Sequence, residues 1–225
     1  NFNINLAIID NKKPLTLMQK LLKNLKRGRG GYVFIMAINK LLNKKNKQTN
    51  TINFLTENNI QYIETAKINS DSIINKISFL KLDVLLLING FGILKNKIIN
   101  STKFGIFSYH HGDMRKFRGM PPCFWELYYN EKDVGITVQQ ISTKLDAGCP
   151  IIERKVIIDK KDSYGSLLKK VTHTGIDMMY QSLLIINRKN YTFKPIDKLG
   201  KVYTLPNLTQ WIILKMKIFF RKMVN

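Results

Sequence analysis

Two adjacent histidines, His110 and His111, begin a short polar segment that continues through Gly112 and Asp113. A further carboxylate, Asp146, occurs later in the chain within the segment KLDAG. Histidine changes charge near neutral pH, and a neighbouring carboxylate orients its ring and favours the protonated form. If the fold brings Asp146 to His110, the two side chains are equipped for general acid–base chemistry. The alternative for the histidine segment is an ordinary solvated turn.

Apolar runs precede both polar segments. Residues 82–88 are almost all aliphatic, which predicts a strand buried on both faces, as in a parallel sheet. Residues 105–109 predict a strand that ends at the histidines, and residues 134–141 predict a strand that ends before the aspartate. Loops that follow neighbouring strands meet at one edge of an α/β sheet, where such folds hold their reaction centres. The pattern predicts an enzyme.

The other hydrophobic periodicities alternate between strand and helix, which predicts an α/β fold built from βαβ units with right-handed crossovers. The further predicted strands cover residues 4–9, 52–55, 62–63 and 151–158. The predicted helices cover residues 15–25, 32–42, 71–79, 95–99, 121–129, 163–187 and 211–224.

The composition is that of a packed and strongly basic globular protein, with 225 residues, 44% hydrophobic content and a net charge of +22. Such a charge attracts nucleic acid or an anionic membrane. The lysines are nevertheless spread from Lys12 to Lys222 among many Asn and Ile residues, which indicates a compositional bias. Attraction of a small, phosphate-bearing substrate is therefore favoured over a dedicated nucleic-acid surface.

The two cysteines, Cys123 and Cys149, share no metal-ligand spacing with each other or with the histidines. They predict free thiols with a structural role in a reducing compartment, and no metal site is predicted. No apolar run approaches the roughly 20 residues that span a bilayer, and the N-terminal residues do not resemble a signal peptide. The sequence therefore predicts a cytoplasmic protein.

The C-terminal segment 211–224, WIILKMKIFFRKMV, mixes bulky apolar residues with four basic ones. The simpler interpretation is a helix that docks on the protein core. The alternative is a basic amphipathic helix that rests on the anionic inner face of a membrane.

Two segments, GIFSYHHGDMRKFRGMPPCFWE and VGITVQQISTKLDAGCPII, resemble the core of the folate-dependent formyltransferases. This family includes the glycinamide ribonucleotide, methionyl-tRNA and sugar N-formyltransferases. Its signature runs Gly-x-x-Asn-x-His-x-(Ser or Gly), (Tyr or Phe)-Arg-Gly, Gly-(Val or Ile)-(Thr or Ser) and (Leu or Ile)-Asp-x-Gly. The resemblance is close over residues 82–168, whereas the N-terminal third is similar only in its βαβ-like layout.

The resemblance implies a Rossmann-like formyltransferase domain over residues 1–190, with a mostly parallel central sheet flanked by helices. Residues 191–225 then form a C-terminal extension with the basic amphipathic helix. The formyl donor implied for this family is 10-formyltetrahydrofolate. By the same resemblance, His110 and Asp146 match the catalytic residues, and Ser108 occupies the place of the catalytic asparagine.

The resemblance also implies which residues hold the two substrates. The pterin pocket would be formed by the loop after the central strand and by the loop before the aspartate: Asn89, Gly90, Phe91, Gly92, Ile93, Leu94, Gln140, Ile141 and Leu145. The acceptor side would be shaped by His111, Gly112, Arg118 and Gly119. The alternatives are ordinary surface turns and, for Arg118, a structural ion-pair partner.

Ser108 is a departure from the family signature. The asparagine expected there helps to stabilise the oxyanion that forms when an amine attacks the formyl carbon, and one such donor contributes roughly 3–4 kcal/mol. Three alternatives follow: Ser108 acts through a shifted geometry or a water, His111 supplies the donor, or catalysis has been lost.

The favoured function is formylation of an amino sugar carried on a nucleotide or lipid, in surface-polysaccharide synthesis. A methionyl-tRNA formyltransferase is an alternative, although few residues follow the second motif for a tRNA-binding module. A purine-pathway enzyme fits the length, but the HHGD and PPCFWE segments depart from its pattern. A formyltetrahydrofolate hydrolase and a non-catalytic binding protein with the same fold are the remaining alternatives.

Overall fold

The computed structural model describes residues 2–13, 15–26, 51–88, 91–188 and 191–223. The strands in these ranges are β1 (Ala7–Asp10), β2 (Tyr62–Thr65), β3 (Leu85–Leu87), β4 (Ile106–His110), β5 (Phe117–Gly119), β6 (Asp133–Gln140), β7 (Cys149–Ile157) and β8 (Lys201–Tyr203). The helices are α1 (Leu17–Leu25), α2 (Thr51–Glu57), α3 (Asp71–Phe79), α4 (Asn96–Ile99), α5 (Phe124–Tyr128), α6 (Tyr164–Gly175), α7 (Met178–Ile186) and α8 (Leu208–Met223). Among these helices, none is long and apolar enough to pass through a lipid bilayer.

Among the described residues, the central sheet contains four strands in the order β3-β4-β6-β7. β3 and β4 are parallel, whereas β6 is antiparallel to both β4 and β7. The short connection 141–148 joins β6 and β7 as a hairpin, and a link this short joins only antiparallel strands. Two further pairs, β1-β2 and β5-β8, are parallel. The predicted α/β fold, with parallel pairings and flanking helices, is confirmed.

Most elements around the histidines form where the sequence predicts them. The strands at 105–109, 134–141 and 151–158 and the helices at 71–79 and 95–99 are confirmed, with small shifts at their ends. The predicted first strand, 4–9, is shifted because its pairing with β2 begins only at Ala7. Helix α1 begins at Leu17 because the Thr16 side chain accepts from the backbone N–H of Gln19.

Two predicted elements differ from the structure, one in its type and the other in its first residue. The strand predicted over 52–55 is wrong, because these residues lie in α2, where only Leu55 is buried. A short apolar run does not distinguish a strand from a helix by its periodicity alone. The helix predicted over 121–129 begins only at Phe124, because Cys123 has a left-handed backbone with φ 65°.

Two further predictions are corrected in their extent. The helix predicted over 163–187 is interrupted between α6 and α7, where Arg154 forms a bidentate ion pair with Asp177 and donates to the Thr174 carbonyl. The strand predicted over 82–88 is shorter, and its burial on both faces is wrong: Leu86 is 40% exposed. β3 is the terminal strand of the central sheet. The helix predicted over 32–42 lies outside the described residues.

Apolar side chains on the two faces of β4 belong to two separate clusters. Phe107 lies in the larger core, which the helices α5 to α8 help to build. Ile106 lies in a smaller cluster with Ile77 of α3 and Ile98 of α4. Helix α8 docks on the larger core through a stripe of buried side chains, Trp211, Leu214 and Ile218. Both cysteines are free thiols, and Cys123 is buried in this core.

Candidate active site

Strand β4 presents two of the predicted catalytic side chains on the same face of the sheet. Successive strand residues point to opposite faces, so Ser108 and His110 share one face and Tyr109 lies on the other. The Tyr109 hydroxyl donates to the Gly175 carbonyl at the end of α6, 2.8 Å away. Ser108 and His110 are 8% and 6% exposed. Both polar side chains therefore lie on a largely water-excluded surface of the sheet.

The ring of His110 is held by the backbone of β5. Its Nε2 atom lies 2.8 Å from the carbonyl oxygen of Phe117. A carbonyl only accepts hydrogen bonds, so this contact requires the proton on Nε2. The ring fits because residue 112 is glycine: a Cβ on Gly112 would lie 2.8 Å from the same Nε2 atom. The nitrogen that remains for proton transfer is Nδ1.

Asp146 faces that nitrogen from the hairpin loop between β6 and β7. Its Oδ2 atom lies 3.6 Å from His110 Nδ1, longer than a direct hydrogen bond. The same oxygen accepts from the backbone N–H of Gly119 at 2.8 Å, so the carboxylate is fixed on one side. The fold thus brings together the histidine and the aspartate of the two sequence motifs, with Nδ1 still uncommitted.

Arg118 supports this arrangement through backbone contacts. Its Nε atom donates to the Gly200 carbonyl at 2.8 Å, and its Nη1 atom donates to the Leu145 carbonyl at 3.2 Å. The side chain therefore ties the aspartate loop to the C-terminal segment. Gly119 has a φ of 93°, and a Cβ there would collide with the carbonyl of Tyr203 on the paired strand β8. Only glycine adopts this φ without strain and leaves room for the Tyr203 carbonyl.

His111 lies apart from the His110–Asp146 pair. Its ring stacks on Tyr109, with ring centroids 5.9 Å apart and an angle of 10° between the planes. Burial and the neighbouring His110 both lower the pKa of His111. His111 therefore favours its neutral form beside Tyr109, whereas Ser108 shares the strand face of His110.

The predicted pterin residues after β3 lie beside the smaller apolar cluster. Phe91 and Leu94 pack against it, as does Ile141 from the loop after β6. Ile93 and Leu145 project into solvent, with 86% and 60% exposure. The predicted positions Asn89 and Gly90 lie outside the described residues. Apolar side chains from two loops thus converge on the smaller cluster, which contains Ile106 on the same face of β4 as Ser108.

The other residues predicted at this pocket have structural roles. Gln140 ends β6 and donates through Nε2 to the Phe104 carbonyl at 3.0 Å. The backbone N–H of Ile141 donates to the Ile106 carbonyl at 2.8 Å. Gly92 is exposed, with a φ of 83° that glycine adopts without strain. Gln140 and Ile141 also line a shallow cleft of about 510 Å³.

A second cleft, which sequence reasoning did not find, lies where β1 and β2 end. Its volume is about 310 Å³, and it is lined by Lys12, Lys67 and Lys95 together with Phe91 of the pterin loop. The Lys12 ammonium donates to the Phe91 carbonyl at 3.2 Å. Lys12 is paired with Asp10 at 3.8 Å, whereas Lys67 and Lys95 form no ion pair with any described residue. The cleft therefore has a net positive charge suited to an anionic group. The separation of these lysines in sequence, amid many other lysines, hides this convergence.

A buried carboxyl, Glu126, also escaped the sequence reasoning. It lies on α5 and is 3% exposed, and its Oε1 atom would be 3.3 Å from a Cβ on Gly112. Burial raises the pKa of Glu126 to about 7, with smaller contributions from Glu131 and Asp113. A single glutamate in a short helix gives no sequence signal of burial. Across the described ranges, no cluster of three His, Cys, Asp or Glu side chains is arranged to hold a metal ion.

This fold and site define a class of α/β enzymes that carry a histidine–aspartate pair at the end of a central strand. The chain matches the model of the formyl transferase family over residues 5–183. It therefore belongs to the formyl transferase family, which confirms the resemblance seen in its motifs.

The relatives found by sequence and the structural neighbour are formyltransferases with different acceptors in their names. A methionyl-tRNA formyltransferase from Enterococcus faecalis is 27% identical over 156 residues, covering 68% of this chain and 49% of that protein. One from Clostridioides difficile is 28% identical, covering 60% of this chain and 43% of the relative. The chain thus spans about half the length of these relatives. A sugar N-formyltransferase from Shewanella sp FDAARGOS_354 has a similar fold (TM-score 0.58, 16% identity), covering 96% of this chain and 87% of that one.

Proposed function

We propose that this chain transfers a formyl group from 10-formyltetrahydrofolate to the primary amine of an amino sugar carried on a nucleotide or lipid. The observation that carries the proposal is the orientation of His110, with Nε2 held by the Phe117 carbonyl and Nδ1 turned toward Asp146. The apolar residues Phe91, Leu94 and Ile141 beside the same strand face fit the pterin of the donor.

The donor supplies a formyl group bonded to nitrogen, and the acceptor amine attacks its carbon. Protonated at Nδ1, His110 donates to the oxygen that gains negative charge, in a site that excludes most water. Asp146, which faces Nδ1, takes up the proton that the amine loses. The bond from the formyl carbon to the donor nitrogen then breaks, and the proton held by Asp146 passes to that nitrogen as tetrahydrofolate departs.

Ser108 is the second oxyanion donor in this proposal. It shares the face of β4 with His110, whereas His111 is stacked on Tyr109. Replacing Ser108 by Ala should therefore lower kcat by roughly tenfold, as expected for a weaker donor than the family asparagine. Replacing His111 by Ala should leave kcat within about twofold. The opposite ranking in single-turnover assays would assign the donor to His111.

The lysine cleft beside Phe91 supports a phosphate-bearing acceptor. Lys67 and Lys95 line the cleft from loops that follow β2 and β3. The combined substitution Lys67→Gln/Lys95→Gln should raise KM for a nucleotide-linked amino sugar, because it removes two positive charges. The exposed pair Lys76→Gln/Lys198→Gln is the charge-matched control, and calorimetric titration with a stable formylfolate analogue tests whether donor binding is retained.

A panel of acceptors tests the proposal directly. The purified chain is incubated with 10-formyltetrahydrofolate and either nucleotide-linked amino sugars or methionyl-tRNA, and the formylated product is identified by mass spectrometry. Formylation of an amino sugar is the expected result. Release of formate without an acceptor would identify a hydrolase, and binding of the folate analogue without any turnover would identify a non-catalytic protein.

Methionyl-tRNA is the second candidate acceptor. It is supported by the identity of 27–28% to methionyl-tRNA formyltransferases and by the net charge of +22. The amino sugar is preferred because the likeness to the Shewanella sugar N-formyltransferase extends over 96% of this chain. A tRNA acceptor would show steep weakening of binding with added salt, since each phosphate contact releases counterions.

A further inference from the structure

Helix α8 carries a second apolar surface in addition to the stripe that docks on the core. Residues 211, 214 and 218 are buried, spaced by three and four residues as on one face of a helix. A different set of apolar side chains on the same helix is more than 40% exposed: Leu208, Ile212, Met216, Phe219, Phe220 and Met223. We name this set the outer face of α8. It repeats at intervals of three and four residues, so it forms a continuous apolar strip away from the docked stripe.

Two lysines border the outer face. Lys215 and Lys222 are seven residues apart, and each lies three or four residues from members of both the docked stripe and the outer face. Both are exposed, and within the described ranges neither forms an ion pair. The other two basic residues of the helix have partners in the protein: Lys217 donates to the Tyr128 carbonyl, and Arg221 donates to the carbonyls of Lys160 and Asp162.

The charge of this surface distinguishes between two candidate binding partners of the apolar strip, a second copy of the chain and a lipid surface. Helix α8 contains no acidic residue, and the chain carries a net charge of +22. A second copy would bring the same positive charges together, which opposes association. A lipid surface with anionic headgroups would attract them, while the acyl boundary accepts the apolar strip.

We propose that α8 lies in the plane of an anionic phospholipid surface, with its outer face against the acyl boundary and with Lys215 and Lys222 at the headgroups. The docked stripe Trp211–Ile218 stays on the protein core in this arrangement. The bound surface is independent of the identity of the formyl acceptor, since the outer face contains none of the residues at the candidate active site.

Sedimentation with vesicles tests the proposal on the full chain. Vesicles of phosphatidylcholine mixed with phosphatidylglycerol should carry the protein into the pellet, and vesicles of phosphatidylcholine alone should not. The substitution Ile212→Ser/Phe219→Ser should weaken this binding more than tenfold through loss of apolar burial. Lys215→Gln/Lys222→Gln should weaken it by about tenfold or more.

Matched controls separate specific contact from general attraction. Phe79→Ser removes another exposed aromatic residue, 84% exposed on α3, and should leave vesicle binding unchanged. Lys76→Gln/Lys198→Gln removes two exposed lysines elsewhere and should have a smaller effect than the pair on α8. Circular dichroism melting establishes that each variant is folded, which is expected because the replaced side chains are exposed.

Three results would overturn the proposal. One is the absence of binding to the anionic vesicles, and another is equal binding by the α8 variants and the controls, which would indicate general adsorption. The third is a dimer in sedimentation equilibrium that Ile212→Ser/Phe219→Ser dissociates while vesicle binding persists. That result would assign the outer face to a second copy of the chain.

Discussion

The loop that carries Asp146 and the loop that follows β3 are held in different ways. The aspartate loop is fixed by backbone-directed bonds on several sides, including Gly119 N–H to Asp146, Arg118 to the Leu145 carbonyl and Gly148 N–H to the Gln139 side chain. The described part of the loop after β3, residues 91–95, makes exposed polar contacts, from Lys12 to the Phe91 carbonyl and from Asn69 to the Ile93 carbonyl, and packs on the smaller apolar cluster.

This difference indicates a division of labour within the candidate site. A group that transfers protons must be held to within a fraction of an ångström. Several backbone-directed bonds, of which Gly148 N–H to Gln139 is buried and Gly119 N–H to Asp146 is partly buried, provide such a restraint. A loop that admits and releases a large ligand needs weaker restraints, which solvent-exposed bonds provide. We therefore expect substitutions that disturb the Asp146 loop to change catalysis or global stability. Substitutions that disturb the loop after β3 should change donor binding.

The largest effect is expected from Asp146→Asn. Asparagine keeps an oxygen that accepts from Gly119 N–H but removes the negative charge that faces His110 Nδ1. The value of kcat should fall by roughly 100- to 10,000-fold, while binding of a folate analogue and the melting temperature change little. Single-turnover kinetics measures the effect, with Asp71→Asn as a charge-matched control on the exposed Lys97 ion pair. Retention of activity within about tenfold would contradict the assigned role.

Gly119→Ala should damage the scaffold beneath the aspartate. The new Cβ collides with the Tyr203 backbone at a positive φ, so the free energy of unfolding should fall by roughly 3 kcal/mol. Gly165→Ala is the control, because no atom lies within 4 Å of its added Cβ, and its stability should change by less than about 0.5 kcal/mol. Urea unfolding compares the two variants. Equal stabilities would show that β5 and β8 separate without penalty.

A pH-dependent effect is expected from Glu126, which lies beside Gly112 and the His110 loop. Burial raises its pKa from 4.5 to about 7, so between these values the folded state holds a proton that the unfolded state has released. The free energy of unfolding should therefore decrease as pH rises through this window, by roughly 3 kcal/mol in total. Glu126→Gln should remove this dependence and be the more stable form above pH 7, as measured by urea unfolding across pH. The exposed Glu57→Gln should retain the slope of the unmodified chain.

The smallest effect is expected from Asn69→Ala on the β3 side. The Asn69 side chain donates to the Ile93 carbonyl and accepts from Lys95 N–H, both at 2.8 Å. Losing both exposed bonds should cost about 1 kcal/mol and raise the Kd of a folate analogue by roughly fivefold. Asn100→Ala, which removes only a bond to Asn96 on α4, should leave this Kd unchanged. An equal rise in Kd for both variants would contradict the role of the Asn69 hydrogen bonds in positioning the loop after β3.

The sequence predicts those features whose cause is local. The strands that lead to His110 and Asp146 are apolar runs, and the two motifs match the order and spacing of the family signature. The geometry of Nε2 is not accessible from sequence, because Phe117 contributes only its backbone carbonyl. The break between α6 and α7 depends on the long-range ion pair of Arg154 with Asp177, which no local pattern encodes.

The convergence of Lys12, Lys67 and Lys95 is unpredictable for a related reason. Each lysine is unremarkable in a lysine-rich chain, and only the pairing of β1 with β2 and the position of the loop after β3 bring them to one cleft. The burial of Glu126 likewise depends on how the short helix α5 packs. Long-range packing thus determines the electrostatics of this site, whereas local sequence patterns identify its candidate catalytic residues.

The contact from Arg118 to the Gly200 carbonyl limits where this protein can be truncated or joined to another. A shortened version that ends at residue 190, chosen because the family motifs end earlier, would lose Gly200 together with strand β8, the partner of β5. Arg118 would then lose its bond to Gly200, and Gly119 would lose its pairing with Tyr203. Because Asp146 accepts from Gly119 N–H, its position would become less restrained. For expression trials or chimeras, the exchangeable unit therefore extends at least through Tyr203.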